Sequence, residues 1–293
     1  MAKKVTVRDV AAAAGVSVAT VSYVLNEKKD AKISEATRKK VLQVANLLNY
    51  MPHQETLGLP AGGTHTIGIT YRLCQDTPSR NIEIMQLLNL LVERFGRLNY
   101  NCLILSSDPD AAKQPPIRGL DGIIAIDLEE KEFKDMAGDY YIPILCLDML
   151  INDFLFYQIY TDMDTLTLRA REQLGDDFYL VMDRPCNRRY QDYISGLLPD
   201  GHLLLFSECK EEDFLALKKQ KILVMGTYLG LALRQLIPEE NLMVLSPDHS
   251  PEFPGSTLPV LHYEIEKKAN LAVNIMLNAL EKKFDVKHEY KIS

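Results

Sequence analysis

An all-α head of three short helices, two of them a helix-turn-helix, followed by an α/β body of two doubly wound halves, is the fold class this sequence predicts. Three observations lead there. Residues 5–52 hold short stretches whose apolar residues recur with helical spacing, separated by polar caps. From Thr66 onward, short fully apolar runs alternate with helical patterns, as in parallel sheets covered on both faces. The charge is also divided: residues 1–60 hold 9 Lys and Arg against 5 Asp and Glu, a charge of +4, while the remainder carries −11 within a total of −7.

The first helix of the head begins after Thr6, with Asp9 three residues on as in a capping box. Val7, Val10, Ala11 and Ala14 follow the i, i+3, i+4, i+7 spacing of one buried face. Gly15 suits the left-handed position that ends a helix, and Ser17 restarts the chain. In the second helix Val21, Val24 and Leu25 pack inward. Val18, Ala19, Ser22 and Tyr23 then face outward near the helix N-terminus, and a helix with small residues there can lie deep in a DNA major groove. Ser34 caps a third helix with the stripe Thr37, Val41, Ala45 and Leu48, which closes at Asn49-Tyr50-Met51-Pro52 because Pro52 blocks continuation.

In the body, strands are expected at Thr66–Tyr71, Asn101–Leu105, Gly122–Ile126, Pro143–Leu147, Phe178–Met182, His202–Phe206, Ile222–Met225 and Leu242–Leu245. Helices are expected at Ile82–Leu98, Thr165–Leu174, Tyr228–Leu236 and Ile265–Leu280. The strands fall into two groups, which places a cleft between two halves, and ligands of open α/β sheets bind at the C-terminal ends of strands.

Other classes find little support. The sequence has no GxGxxG after a strand, no GxxxxGK[ST], no GxSxG and no HExxH. Its five cysteines include no CxxC, which suits reduced thiols in a cytoplasm, and His65, His202, His249 and His262 lack metal-ligand spacing. Cys186, in Asp183-Arg184-Pro185-Cys186, has no His partner nearby and reads as a loop thiol. No apolar run is long enough for a membrane span and no signal segment precedes the head, so a cytoplasmic protein is expected, with no cofactor, no metal and no membrane partner.

The residues VRDVAAAAGVSVATVS, VLN, ISEATRKKVLQVANLLNYMP and THTIGI resemble the DNA-binding headpiece of the LacI/GalR family of bacterial repressors. The resemblance implies a head over residues 1–60 with a hinge at 53–63, and an effector-binding, dimerising body over 64–293. That body would be like a periplasmic binding protein, with subdomains at about 64–158 and 159–252 and residues 253–293 crossing between them. It implies a homodimer reading a near-palindromic operator in double-stranded DNA. Thr6, Ser17, Thr20, Ser22, Asn26 and Tyr50 would contact DNA, with Val18, Ala19 and Tyr23 reading bases. Tyr23 stands where many relatives carry Arg. Leu59 would wedge into the minor groove, although Gly58 costs about 1 kcal/mol in a helix interior and Pro60 cannot donate to the helix ladder.

The resemblance further implies a small-molecule effector, a sugar or sugar phosphate, in the inter-lobe cleft. Arg189, four residues before Tyr193, matches an arginine that bridges effector hydroxyls; Asp248 and Asp162 match ligand-contacting acids. Tyr71, Tyr228 or Phe206 could stack on a sugar. An inter-lobe or surface salt bridge is the plainer reading of Arg189 and Asp248. The sequence departs from the family after the first strand, at TYRLCQDTPSRN, and at Met149 and Tyr228. Two alternatives stay open: a regulator of this family that has lost small-molecule induction, and an α/β sugar-acting enzyme with an added head.

Overall fold

Helix α1 (Val7–Ala14) starts where the backbone N–H and the hydroxyl of Thr6 both donate to the Asp9 carboxylate, each at 2.7 Å. Gly15 ends it at φ +66, the left-handed region that a side chain would strain. The Ser17 hydroxyl accepts from the Thr20 N–H at 3.0 Å and opens α2 (Val18–Leu25), which is bent by 106° from α1, within the range of helix-turn-helix pairs. Ser34 caps α3 (Glu35–Leu47) in the same way, accepting from the Thr37 N–H at 3.2 Å. Val10, Ala11, Ala14, Val21, Val24, Val41 and Ala45 form the buried centre of these three helices. A Ser34→Ala substitution should lower the stability of the head by about 1 kcal/mol, because an orphan N–H at the start of α3 loses its acceptor; thermal melting followed by circular dichroism reads this.

The structure, a computed structural model, describes residues 6–25, 33–47, 63–106, 116–153, 155–248, 258–282 and 288–293. The expected hinge residues 53–62, with Gly58, Leu59 and Pro60, lie outside the described residues, as do Asn26 and Tyr50.

The body runs β1 (Thr66–Tyr71), α4 (Pro78–Arg97), β2 (Asn101–Leu105), β3 (Gly122–Ile126), α5 (Glu130–Ala137), β4 (Ile144–Leu147) and β5 (Tyr157–Thr161). There follow α6 (Met163–Leu174), β6 (Phe178–Met182), α7 (Arg188–Ser195), β7 (Leu203–Leu205), α8 (Glu211–Ala216), β8 (Lys221–Met225), α9 (Thr227–Leu233), β9 (Leu242–Pro247), β10 (Val260–Tyr263), α10 (Ile265–Leu280) and β11 (Glu289–Ile292). Two sheets result, with orders β11-β5-β4-β3-β1-β2 and β10-β9-β8-β6-β7, and every pairing is parallel. The chain leaves the first sheet after Thr161 and returns to it through α10, after β10 has closed the second sheet.

Each sheet is sealed on its outer side by its own cluster. Phe133, Ile123 and Cys146 belong to one; Phe214, Val224 and Leu233 belong to the other. A larger cluster runs through both halves, from Ile69, Leu91 and Met276 around the first sheet to Leu180, Leu223 and Tyr263 of the second. Among the described residues no single helix is long and apolar enough to cross a membrane.

Three strands escape the sequence reading, β5, β10 and β11, and each mixes polar with apolar residues. In β5 the buried Gln158 is satisfied because its side-chain oxygen accepts from the Ile151 N–H at 2.8 Å. Helix α4 begins at Pro78, one turn before the expected Ile82, since its first turn is polar and serves the cleft between the sheets.

Candidate DNA interface and inter-lobe cleft

On the head, Thr6, Ser17, Val18, Ala19 and Tyr23 are exposed, while Thr20 and Ser22 are half-buried. The turn and the start of α2 thus present short hydroxyls beside two small apolar side chains and a tyrosine. Buried Val21 and Val24 fix this face outward. Short hydroxyls of this kind meet phosphates, and an apolar Val-Ala pair suits a thymine methyl.

In the body, five strands are directly followed by an aspartate, and three of these acids meet in the cleft: Asp127 after β3, Asp148 after β4 and Asp183 after β6. All three are buried, and they surround Arg80, from the first turn of α4, which is only 6% exposed. The Arg80 Nε donates to Asp127 at 2.9 Å; its Nη1 donates to Glu83 at 3.2 Å and lies 3.6 Å from Asp148. The buried Lys268 Nζ, from α10, donates to Asp148 and to the Thr161 hydroxyl, both at 2.6 Å. Asp183 reaches across from the second sheet and accepts the N–H groups of Ser79 and Arg80 at 2.7 and 3.0 Å, a carboxylate at the positive end of α4. Asn187 ties the same two halves: its N–H donates to Asp127 at 3.1 Å, and its amide donates to the Leu128 carbonyl at 3.0 Å.

The electrostatics follow from that packing. Burial works against the charge on Arg80, but Asp127, Asp148 and Glu83 outweigh it and raise its pKa. Burial also opposes ionisation of Asp148, yet Lys268 and Arg80 hold it below the usual carboxylate range. Burial raises Glu83 and Asp183 in spite of their partners. A carboxyl group raised in the folded state contributes stability below its ordinary value and loses it as pH rises through the raised value. Glu83→Gln should therefore match the wild type in stability at about pH 4 and exceed it increasingly toward neutrality. Urea unfolding across a pH series checks this, and a constant gap would contradict it.

Four atoms around this cluster, Arg80 Nη2, Glu83 Oε1, Gln86 Oε1 and Asp183 Oδ1, are buried without a hydrogen-bond partner. Arg80, Glu83 and Asp183 line a cavity of about 10 Å³ with Met182, Pro185, Tyr190 and Met225. Beside it, Glu83 and Gln86 also line a cavity of about 250 Å³ with Tyr228, Leu231 and Pro247. A third space of about 700 Å³ lies between β5 and α7, bounded by Tyr160, Arg188, Arg189 and Tyr193.

The five effector residues expected from the sequence do not converge on one cavity. Arg189, with its side chain 51% exposed, lines the 700 Å³ space and pairs with Glu130 of α5, an ion pair across the two halves. Tyr228, 48% exposed, lines the 250 Å³ cavity. Asp162 caps α6, accepting from the Thr165 N–H at 3.3 Å, and Asp248 accepts from the Ile265 N–H at 2.8 Å at the start of α10. Tyr71 is half-buried at the end of β1. The residues that do converge, Arg80, Glu83, Asp127, Asp183, Asn187 and Lys268, were not among the expected ligand contacts. The signal that could have revealed them is an aspartate directly after an apolar run, in GIIAID, PILCLD and FYLVMD.

Residues 6–53 match the family described as "Bacterial regulatory proteins, lacI family". Catabolite control protein A of Streptococcus mutans is 35% identical over 127 residues, which cover 41% of this chain and 36% of that protein. The sucrose operon repressor of Klebsiella pneumoniae is 26% identical over 205 residues, covering 66% of this chain and 60% of that protein. The chain thus spans less than two thirds of the length of the curated relatives it matches. Among solved structures, a lac repressor dimer bound to operator and the anti-inducer ONPF is 18% identical, with a TM-score of 0.57, covering 99% of this chain and 97% of that one. A complex of the transcriptional regulator CelR with cellobiose is 13% identical, with a TM-score of 0.58, covering 98% and 97%. These two likenesses concern the fold: a headpiece and two parallel sheets in the same arrangement. Residues 6–53 are thus similar to the head of the lacI family of bacterial regulatory proteins, and the chain has the fold of the lac repressor and CelR structures.

Proposed function

We propose that the protein is a transcriptional repressor that binds a near-palindromic DNA operator as a homodimer and responds to a small molecule in its inter-lobe cleft. The observation that carries this reading is the lacI-family head, whose α2 presents Val18, Ala19 and Tyr23 beside the hydroxyls of Ser17 and Thr20. Residues 1–60 would act as the DNA-binding unit, with Asn26, Tyr50 and the Leu59 wedge completing the contact. Residues 64–293 would act as the sensing and dimerising unit. Edge strand β2 supports the dimer, since it exposes Leu103 and Ile104 (40% and 48%), as does α4 with Ile82 (47%).

The effector would be rich in hydroxyl groups. The cleft sets Glu83, Asp127, Asp148 and Asp183 against two cations, Arg80 and Lys268. Such a site repels phosphate and accepts hydroxyl hydrogen bonds, which narrows the expected sugar or sugar phosphate to a neutral sugar. A ligand shifts the lobes only by binding one arrangement better than the other. CelR, of the same fold, is solved with cellobiose.

In vitro selection with the purified protein should recover paired half-sites spaced by about one helical turn or more. Tyr23→Ala should change the preferred half-site, and a control on the exposed face of α6 in the body, Glu172→Ala, should not. Binding at fixed salt should then shift with at least one neutral sugar and with none of the matched sugar phosphates. No enriched sequence would refute the operator reading; enrichment without any sugar response would leave Arg80 in the ligand's place.

A further inference from the structure

Two thiols face each other across the cleft. Cys74 lies in the turn between β1 and α4 of the first half, and Cys186 lies between β6 and α7 of the second. Their sulfurs are 3.8 Å apart, and both residues are half-buried. Cys74 is clamped by Asn81: its N–H donates to the Asn81 side-chain oxygen at 3.1 Å, and its carbonyl accepts from the Asn81 amide at 2.6 Å. Cys186 is fixed by its neighbour Asn187, bonded to Asp127 and to the Leu128 carbonyl of the opposite half. Both backbones are thus held where the sulfurs meet, and a disulfide needs them only about 2 Å closer. The other thiols are placed differently: Cys146 is fully buried in β4, while Cys102 lies on β2 and Cys209 follows β7.

We propose that Cys74 and Cys186 form an oxidisable dithiol site at which a peroxide stitches the two lobes of the body together. The Cys74 thiolate attacks the peroxide oxygen, the O–O bond breaks, and a sulfenic acid forms with loss of hydroxide. The Cys186 sulfur then attacks the Cys74 sulfur. The S–S bond forms, the S–O bond breaks, and the hydroxyl leaves as water with the Cys186 proton. Two thiols and one hydrogen peroxide give one disulfide and two waters. Burial, with Asp127 and Cys74 beside it, raises the pKa of the Cys186 thiol, so Cys186 is not the first thiol to meet the peroxide and enters in the second step. The disulfide would bridge the two halves beside the Asp183 contact with α4, so the cleft could no longer open there.

The test uses the full-length reduced protein and hydrogen peroxide, quenched by alkylation. Free thiols should fall from five to three, and mass mapping should find one intramolecular Cys74–Cys186 peptide. Cys74→Ser and Cys186→Ser should each abolish it. Lobe opening is read separately by hydrogen exchange at the Ser79 and Arg80 amides, which donate to Asp183 across the cleft. These amides should exchange at least tenfold more slowly after oxidation in the wild type and at an unchanged rate in either Ser variant. Five thiols remaining, sulfinic acid on Cys74 with Cys186 still free, or losses spread over Cys102, Cys146 and Cys209 would overturn the site. A disulfide that leaves the amide exchange unchanged would overturn the stitch. None of these readouts involves DNA, so their failure is distinct from failure of the repressor reading.

Discussion

Replacing Arg80 with alanine is expected to destabilise the body by about 3–5 kcal/mol, the cost of removing one partner from a buried ion cluster. The guanidinium is the shared counter-charge of Asp127, Asp148 and Glu83, and none of the three is open to bulk water. Lys268 pairs directly with Asp148 and also acts on Glu83, while among the described residues Asp127 forms an ion pair with Arg80 alone. Without Arg80, Asp127 keeps the Asn187 N–H as a hydrogen-bond donor but loses its neutralising charge. The remedy is to remove charge on both sides. Arg80→Met combined with Asp127→Asn should recover at least half of the loss, since a cluster replaced by neutral groups no longer strands a buried ion. Urea unfolding of the single and double variants decides it. A single-variant loss below about 1 kcal/mol would mean that water reaches the carboxylates and the cluster is not dry.

Gly226→Ala should be the next most severe change. Gly226 links β8 to α9 at φ +95, outside the region a side chain tolerates, and costs of that kind run to about 1–3 kcal/mol. Space is the second obstacle. A Cβ at this position would lie 1.7 Å from the Ser79 hydroxyl and 2.9 Å from the Ser79 Cβ, with Ser79 belonging to the opposite half. The two halves would have to part, and the Ser79 and Arg80 amides should lose protection against exchange before global unfolding. Adding Ser79→Gly should restore that protection while leaving the backbone strain, so the double variant should close the cleft yet remain less stable than the wild type. If Gly226→Ala leaves exchange at both amides unchanged, the close approach is not what sets the cleft.

The residues divide clearly into those whose role could be read from local pattern and those whose role could not. Strands β1, β3 and β6 and helix α10 lie where their apolar runs put them, because each is buried by its own side chains; β2 also lies at its expected place, although Leu103 and Ile104 are exposed at the sheet edge. The caps at Thr6, Ser17 and Ser34 were equally legible, since a cap acts on N–H groups two or three residues away. Strand β4 starts at Ile144 rather than Pro143: proline has no N–H to donate, although its carbonyl accepts from the Ile123 N–H. The cleft was hidden for a physical reason. Ser79, Arg80 and Lys268 look like the solvated face of helices, and only partners more than forty positions away in the chain make them interior residues. Arg189 shows the converse: its spacing to Tyr193 suggested a ligand contact, and it meets Glu130 of the other half.

The parallel order of both sheets has one more consequence. Strands β3, β4 and β6 each deliver their next residue to the same side, so the cleft is written with about one residue per strand. These positions are separated in sequence by whole helices and can vary independently. A substitution at such a position changes the chemistry of the cleft without altering the register that holds the sheet, because the register depends on the apolar residues before it. The body can therefore be retuned at positions far apart in the chain, provided each acid changes together with the cation it faces, while the exposed face of α2 is set by neighbouring residues from Ser17 to Tyr23.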